Sequence, residues 1–172
     1  MEVNIKQALK MFFSKSSFEM IYFEAFANAL DADATEFNIS ISLGNYGELH
    51  NLVVTLSDNG VGFNDVRFGK FSKLFDVEEQ SHKGLGRLVY LCYFDKVEVK
   101  SVFDNSKQRF FEFNEAFDKE SAITEIEPTR NGSIFRMSGF TGERLGKNDY
   151  INPPYIKKAL LENFYMKFYK AK

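Results

Sequence analysis

The sequence contains no tryptophan, one cysteine and two histidines among its 172 residues. A lone thiol, Cys92, cannot close an internal disulfide, and with so few histidines a structural zinc site is not expected. Cys92 is expected to pack as a small apolar residue. No apolar run reaches the length of a membrane span. The opening residues, MEVNIKQALKMFF, lack the long apolar core and small-residue cleavage site of a secretory leader. A cytoplasmic protein with no membrane partner is therefore expected. Repeats, low-complexity tracts and Gly/Ser/Pro linkers are also missing, so residues 1–172 read as a single domain. The formal net charge of −2 gives no general attraction to nucleic acid.

What the chain does have is apolar content enough for a core, 44% against 27% charged, and that core must be built on phenylalanine: 20 Phe and 8 Tyr. The densest stretch is 16–35, SSFEMIYFEAFANALDADAT. Phe18, Ile21, Tyr22, Ala25 and Ala29 recur at helical spacing, and Phe23, Phe26, Ala27 and Leu30 fill much of the remaining circumference. The spacing predicts a buried helix, started by a capping box between Ser16 and Glu19. One polar stripe crosses it: Glu24, Asn28 and Asp31 stand at i, i+4 and i+7. Buried polar groups are costly unless satisfied. These three pair internally, reach solvent at the edge of the core, or form a site, and their common register favours a site.

Before this helix, residues 4–13 pattern as a short amphipathic helix. After it, residues 36–43 alternate strictly, a half-buried strand, and 49–57 form a second strand facing the same core after the turn GNYG. Residues 97–103 and 108–113 form a hairpin, with a further strand over 133–138, so the sheet has about five strands. Residues 114–130 read as an acidic surface excursion, and 64–83 as a mobile cover containing a helical turn or two. From Leu88 to Phe94 a buried helix is expected, and two prolines at 153 and 154 open a last amphipathic helix, 151–172. The class is α+β: two layers, with a mixed, mostly antiparallel sheet covered by helices on one face.

The second strand runs into Asp58, Asn59, Gly60, Val61 and Gly62. The pair Asn59 and Gly60 suits a hairpin turn, but no period-2 pattern follows to supply the returning strand. A carboxylate at a strand end, with glycines that admit a ligand to the backbone, suits a flat ring bearing an amine. Further on, Ser81, His82, Lys83, Gly84, Leu85, Gly86 and Arg87 precede an apolar run, an arrangement suited to holding an anion. The glycines there do not have P-loop or dinucleotide-fingerprint spacing.

Taken in order, Glu24-x-x-x-Asn28-Ala-Leu-Asp31-Ala32, Asp58-x-Gly60-x-Gly62, Gly84-x-Gly86 and Gly132-Ser133 resemble the gyrase, heat-shock chaperone, histidine kinase and MutL (GHKL) superfamily of ATPases, over residues 16–138. NALDADATEFNISI is most similar to the MutL and MORC branch, and GLGRLVYLCYFDKVEVKSVF to bacterial ATP-binding proteins. The resemblance implies the two-layer Bergerat fold and the cofactors ATP and Mg2+. It implies Glu24 as general base and Asn28 as the magnesium ligand. Asp58 would accept from the adenine amine, with Gly60 and Gly62 beside the ring. Asp31 would support the site. Gly84, Leu85 and Gly86 would line the phosphates, Lys83 would offset their charge, and Ser133 would stand near the adenine.

The segment between the glycine motifs is shorter than in MutL, which implies a lid that closes differently or needs a partner. Several branches take a phosphate-contacting lysine from a following domain, so the 172 residues are expected to be one domain of a longer protein or a stand-alone version. The function implied is slow, magnesium-dependent ATP hydrolysis working as a conformational switch, with a second copy or a C-terminal domain as partner. The alternatives are phosphotransfer of the histidine-kinase type and a nucleotide-binding module without turnover. Against phosphotransfer, neither His50, near a turn, nor His82, in the glycine loop, is placed to serve.

Overall fold

The computed structural model describes residues 16–45, 47–73, 86–142 and 145–170, with side chains through 165. The helix expected over 4–13 lies outside them. Helix α1, Met20–Leu30, is the predicted central helix, shorter than expected at both ends. Its N-terminus carries no side-chain cap. The Ser16 carbonyl instead accepts from the Tyr93 hydroxyl at 2.7 Å, and the Glu19 carboxylate accepts from Tyr155 at 2.8 Å. Tertiary partners have displaced the capping box. At the other end Asp33, at φ 57°, closes the helix, and the Ala34 N–H returns to the Ala29 carbonyl at 3.0 Å.

The sheet has six strands: β1 Phe37–Ser42, β2 Val53–Asp58, β3 Phe94–Phe103, β4 Lys107–Phe113, β5 Ala122–Glu125 and β6 Gly132–Phe140, in the order β1-β2-β6-β3-β4-β5. Every pairing is antiparallel. The strand beyond the expected five is β5, inside the acidic excursion. All four of its residues are exposed, so no alternation betrays it. The second strand starts later than expected, after a 3-10 turn at Leu49–Asn51. The buried helix expected after Gly86 is a 3-10 helix, Gly86–Cys92, and Phe94 already belongs to β3. Helix α2, Asp65–Ser72, follows β2, with the Asn64 side chain accepting from the Arg67 N–H at 3.0 Å as its cap. Helix α3 is Pro153–Lys170. No helix among the described residues is long and apolar enough to cross a membrane.

Period-2 alternation sends one face of the sheet toward the helices and the other to solvent, where Lys96 bridges Glu98 and Glu112 and Arg136 meets Glu98 at 2.9 Å. On the covered face, register turns the alternation into rungs that cross four adjacent strands. Val54, Met137, Val97 and Phe113 make one rung, and Leu56, Phe135, Val99 and Phe111 the next. Both are apolar and buried. The third rung is polar throughout: Asp58, Ser133, Ser101 and Arg109. The hydrophobic core ends there.

Arg109 closes the far end of that rung. Its guanidinium, 3% exposed as a residue, donates to the Phe63 carbonyl at 2.9 Å and to Ser121 Oγ at 2.7 Å, pairs with Asp65, and stacks over the Phe68 ring at 4.5 Å. One side chain thus ties β4 to the loop after β2, to the start of α2 and to the excursion. Replacing it by methionine keeps much of the volume but leaves the Phe63 carbonyl and Ser121 without this donor. We expect a loss of about 2 kcal/mol, read as a lower urea midpoint. An unchanged midpoint would show that the clamp contributes nothing.

Candidate functional site

A cavity of about 370 Å³ opens over the polar rung. α1 contributes Glu24, Asn28 and Asp31; the end of β2 gives Asp58; the following loop gives Gly62 and Phe63; β6 gives Ser133 and Phe135; Arg67 and Lys70 enter from α2, and Arg87 from the 3-10 helix. Carboxylates and cations therefore face one another across a floor of apolar side chains. A larger cavity, about 660 Å³, lies between β1 and α3, but its walls are apolar apart from Lys157. Volume alone would choose that one; the chemistry is in the smaller.

Within the site, Asn28 Nδ2 donates to Glu24 Oε1 at 3.1 Å. With its nitrogen so engaged, the amide leaves its carbonyl oxygen for a cation, which is the donor that magnesium accepts. Among the described residues no cluster of three or more His, Cys, Asp or Glu could cage a metal. A cation here would thus take Asn28 and the oxygens of a ligand. Burial raises the Glu24 carboxyl above its ordinary range, opposed by the Asn28 hydrogen bond and by the charge of Arg87. Arg87 is itself lowered to about 10, mainly by burial, and its guanidinium lies 4.4 Å over the Phe71 ring. Burial also raises Asp58, countered by the Gly60 N–H, which donates to its Oδ1 at 2.8 Å. The Tyr90 hydroxyl is fully buried beside the Asn28 side chain and close enough to Glu24 to feel its charge.

Of the residues singled out from sequence, Glu24, Asn28, Asp31, Asp58, Gly62 and Ser133 line this cavity. Lys83, Gly84 and Leu85 lie outside the described residues. Three glycines have a structural reason beside the expected one. At Gly60 a Cβ would come 2.6 Å from the Ala32 carbonyl, and the adjacent Val61 N–H donates to that same oxygen at 3.0 Å. Gly62, at φ +75°, is pressed against the Val102 carbonyl of β3. Gly86 packs against the Glu24 carboxylate. Each admits the chain's own atoms, where the sequence pattern suggests the approach of a ligand. Asn59 is a brace, its Oδ1 accepting from the Thr35 and Glu36 N–H groups at 2.8 and 2.9 Å.

Sequence reasoning missed Arg67, Lys70 and Ser101. The two cations stand at i and i+3 on α2, beside the apolar pair Phe68 and Phe71, a helical signal that the mixed composition of 64–83 obscured. Ser101 occupies an inward position of a strand otherwise filled there by Val97, Val99 and Phe103, and a polar residue in such a row is the signal that was available.

No family model and no curated protein matches the chain. Among solved structures, the N-terminal domain of a DNA repair protein superposes with a TM-score of 0.53 at 18% identity, covering 98% of this chain and 46% of that one. At that identity the likeness shows the fold alone. The chain spans about half the length of that structure.

Proposed function

We propose that this domain binds ATP with magnesium, hydrolyses it slowly, and works as a conformational switch. The observation that carries the reading is the single cavity lined both by Asp58 and Ser133 of the polar rung and by Glu24 and Asn28 of α1, with Arg67, Lys70 and Arg87 in its wall. The ordered motifs resembling the GHKL superfamily support it independently. An amine-bearing ring suits the rung. The phosphates suit Arg67, Lys70 and Arg87, whose charges would meet theirs in a partly desolvated space.

Hydrolysis requires water to attack the terminal phosphorus as the bond to the ADP oxygen breaks. Glu24, half-buried and hydrogen-bonded to Asn28, would accept the proton that this water loses. Magnesium held by Asn28 would neutralise charge developing on the phosphate oxygens. Gly86 touches Glu24, and the Arg87 guanidinium donates to the Lys70 carbonyl at 3.3 Å, so these two neighbours join the base to α2. A ligand that moved either would move both, and a second copy or a C-terminal domain would sense the change. Phosphotransfer to a histidine has less support, because His50 is exposed in the turn at the end of β2 away from Asp58.

Calorimetric titration of ATP with magnesium into the wild-type chain and into Asp58→Asn tests the binding step. Wild type should bind, and be stabilised by about 2.7 kcal/mol at a hundredfold excess over Kd. Asp58→Asn, which replaces one acceptor oxygen by a donor, should bind at least about tenfold more weakly. Absence of both heat and thermal shift with the wild type would overturn the proposal.

A further inference from the structure

Ser101 lies in the middle of the polar rung, between Ser133 and Arg109, and is 1% exposed. We infer that Ser101 is a positioning residue that fixes the hydrogen-bond polarity of the Ser133 hydroxyl, so that the site selects a ring bearing an amino group over one bearing a carbonyl in the same place. The inference rests on the nucleotide reading above and adds to it a residue and a selection rule.

The polarity follows from counting protons. A serine hydroxyl has one proton and two lone pairs. Ser101 Oγ lies 2.9 Å from the Gly132 carbonyl, which can only accept, so the Ser101 proton goes there. The Phe63 N–H, also at 2.9 Å, can only donate and takes one lone pair. Ser133 Oγ lies 3.0 Å away, and the place left on Ser101 is the second lone pair. Ser133 must therefore donate to Ser101. Its own proton is spent inside the wall, and toward the cavity it offers only lone pairs.

Asp58 is the direct cross-strand neighbour of Ser133 and is likewise an acceptor, with Oδ1 taking the Gly60 N–H. On the other side, the Arg109 donors are engaged by Phe63, Ser121 and Asp65. This end of the cavity thus presents adjacent acceptors. An exocyclic amine satisfies them, whereas a carbonyl oxygen would face lone pairs and remain unpaired. If Ser101 lost its hydroxyl, Ser133 could rotate and donate into the cavity, and the penalty on a carbonyl would fall.

The test compares ATP with inosine triphosphate, which carries a carbonyl where ATP carries the amine, by calorimetry with magnesium on the full chain. Wild type should prefer ATP. Ser101→Ala should reduce the ATP to inosine triphosphate affinity ratio about tenfold, and Ser101→Thr should restore it. Ser133→Ala should reduce the ratio too, with the double variant Ser101→Ala, Ser133→Ala no worse than the single ones. Ser101→Cys keeps the size with a weak hydrogen-bonding group, and should show the same reduced ratio if the alanine variant does not fold. A merely structural role would weaken both nucleotides equally, and that outcome overturns the inference while the nucleotide reading stands. Equal affinity of the wild type for the two nucleotides does the same. Binding of neither overturns both.

Discussion

Replacing Glu24 by glutamine should lower ATP turnover by roughly 10²- to 10⁴-fold while ATP binding persists. Glutamine suits the experiment because its carbonyl oxygen can still accept the Asn28 amide at the 3.1 Å position, so the geometry survives and only the proton acceptor is lost. Single-turnover hydrolysis alongside calorimetry separates the two quantities. Unchanged turnover would remove Glu24 from the chemistry. A wild type that binds ATP with no turnover to lose would leave a nucleotide-binding module.

The same substitution carries a pH signature. Burial, the largest influence, raises the Glu24 carboxyl in the folded chain above its unfolded value. Between those two values the folded protein keeps a proton that the unfolded chain has released, so stability falls as pH rises through that window. Glutamine has no proton to lose. Glu24→Gln should therefore be more stable than wild type at pH 7 and show no such advantage below the ordinary carboxylate range, as read by urea unfolding at both pH values. Turnover by the wild type should fade on the acid side at a pH above the ordinary glutamate range, because the base must be ionised.

Gly62→Ala should cost about 3 kcal/mol of stability. Left-handed backbone at φ +75° is unfavourable for any side chain, and the added carbon would press into the Val102 carbonyl with Ser101 Oγ 3.0 Å away. That carbonyl belongs to β3, paired on both sides by β4 and β6, and it cannot retreat without breaking a ladder. Gly69 provides the control. It lies within α2, where an added methyl group would meet open space, so Gly69→Ala should gain up to about 1 kcal/mol. Comparing the urea midpoints of the two variants decides the matter: equal midpoints would mean that Gly62 is not held against β3.

Much of this is legible in the sequence itself. The polar stripe Glu24, Asn28, Asp31 and the strand-end Asp58 are visible because each interrupts a strong apolar period, and an interruption is readable when the period is. β5 is hidden because both its faces are exposed, which leaves a strand without the alternation that marks one. The capping box fails because Glu19 and Ser16 find partners in Tyr155 and Tyr93, contacts that no local pattern contains. Gly60 and Gly62 are marked as tight places by their type, but the sequence cannot say whose atoms press on them. The whole rung is out of reach: the hairpin brings Ser101 near Arg109, but Asp58 and Ser133 are far from that pair along the chain, and only strand register brings all four side by side.

That rung divides the sheet into two inheritances. Successive rungs on one face are about 7 Å apart, so Val54 and its row lie roughly 14 Å from Asp58. Substitutions separated by such a distance usually add without interference. The polar row can therefore be altered with little effect on the Val54 row, whereas the Leu56 row, only one rung away and contributing Leu56 and Phe135 to the cavity, has to change with it.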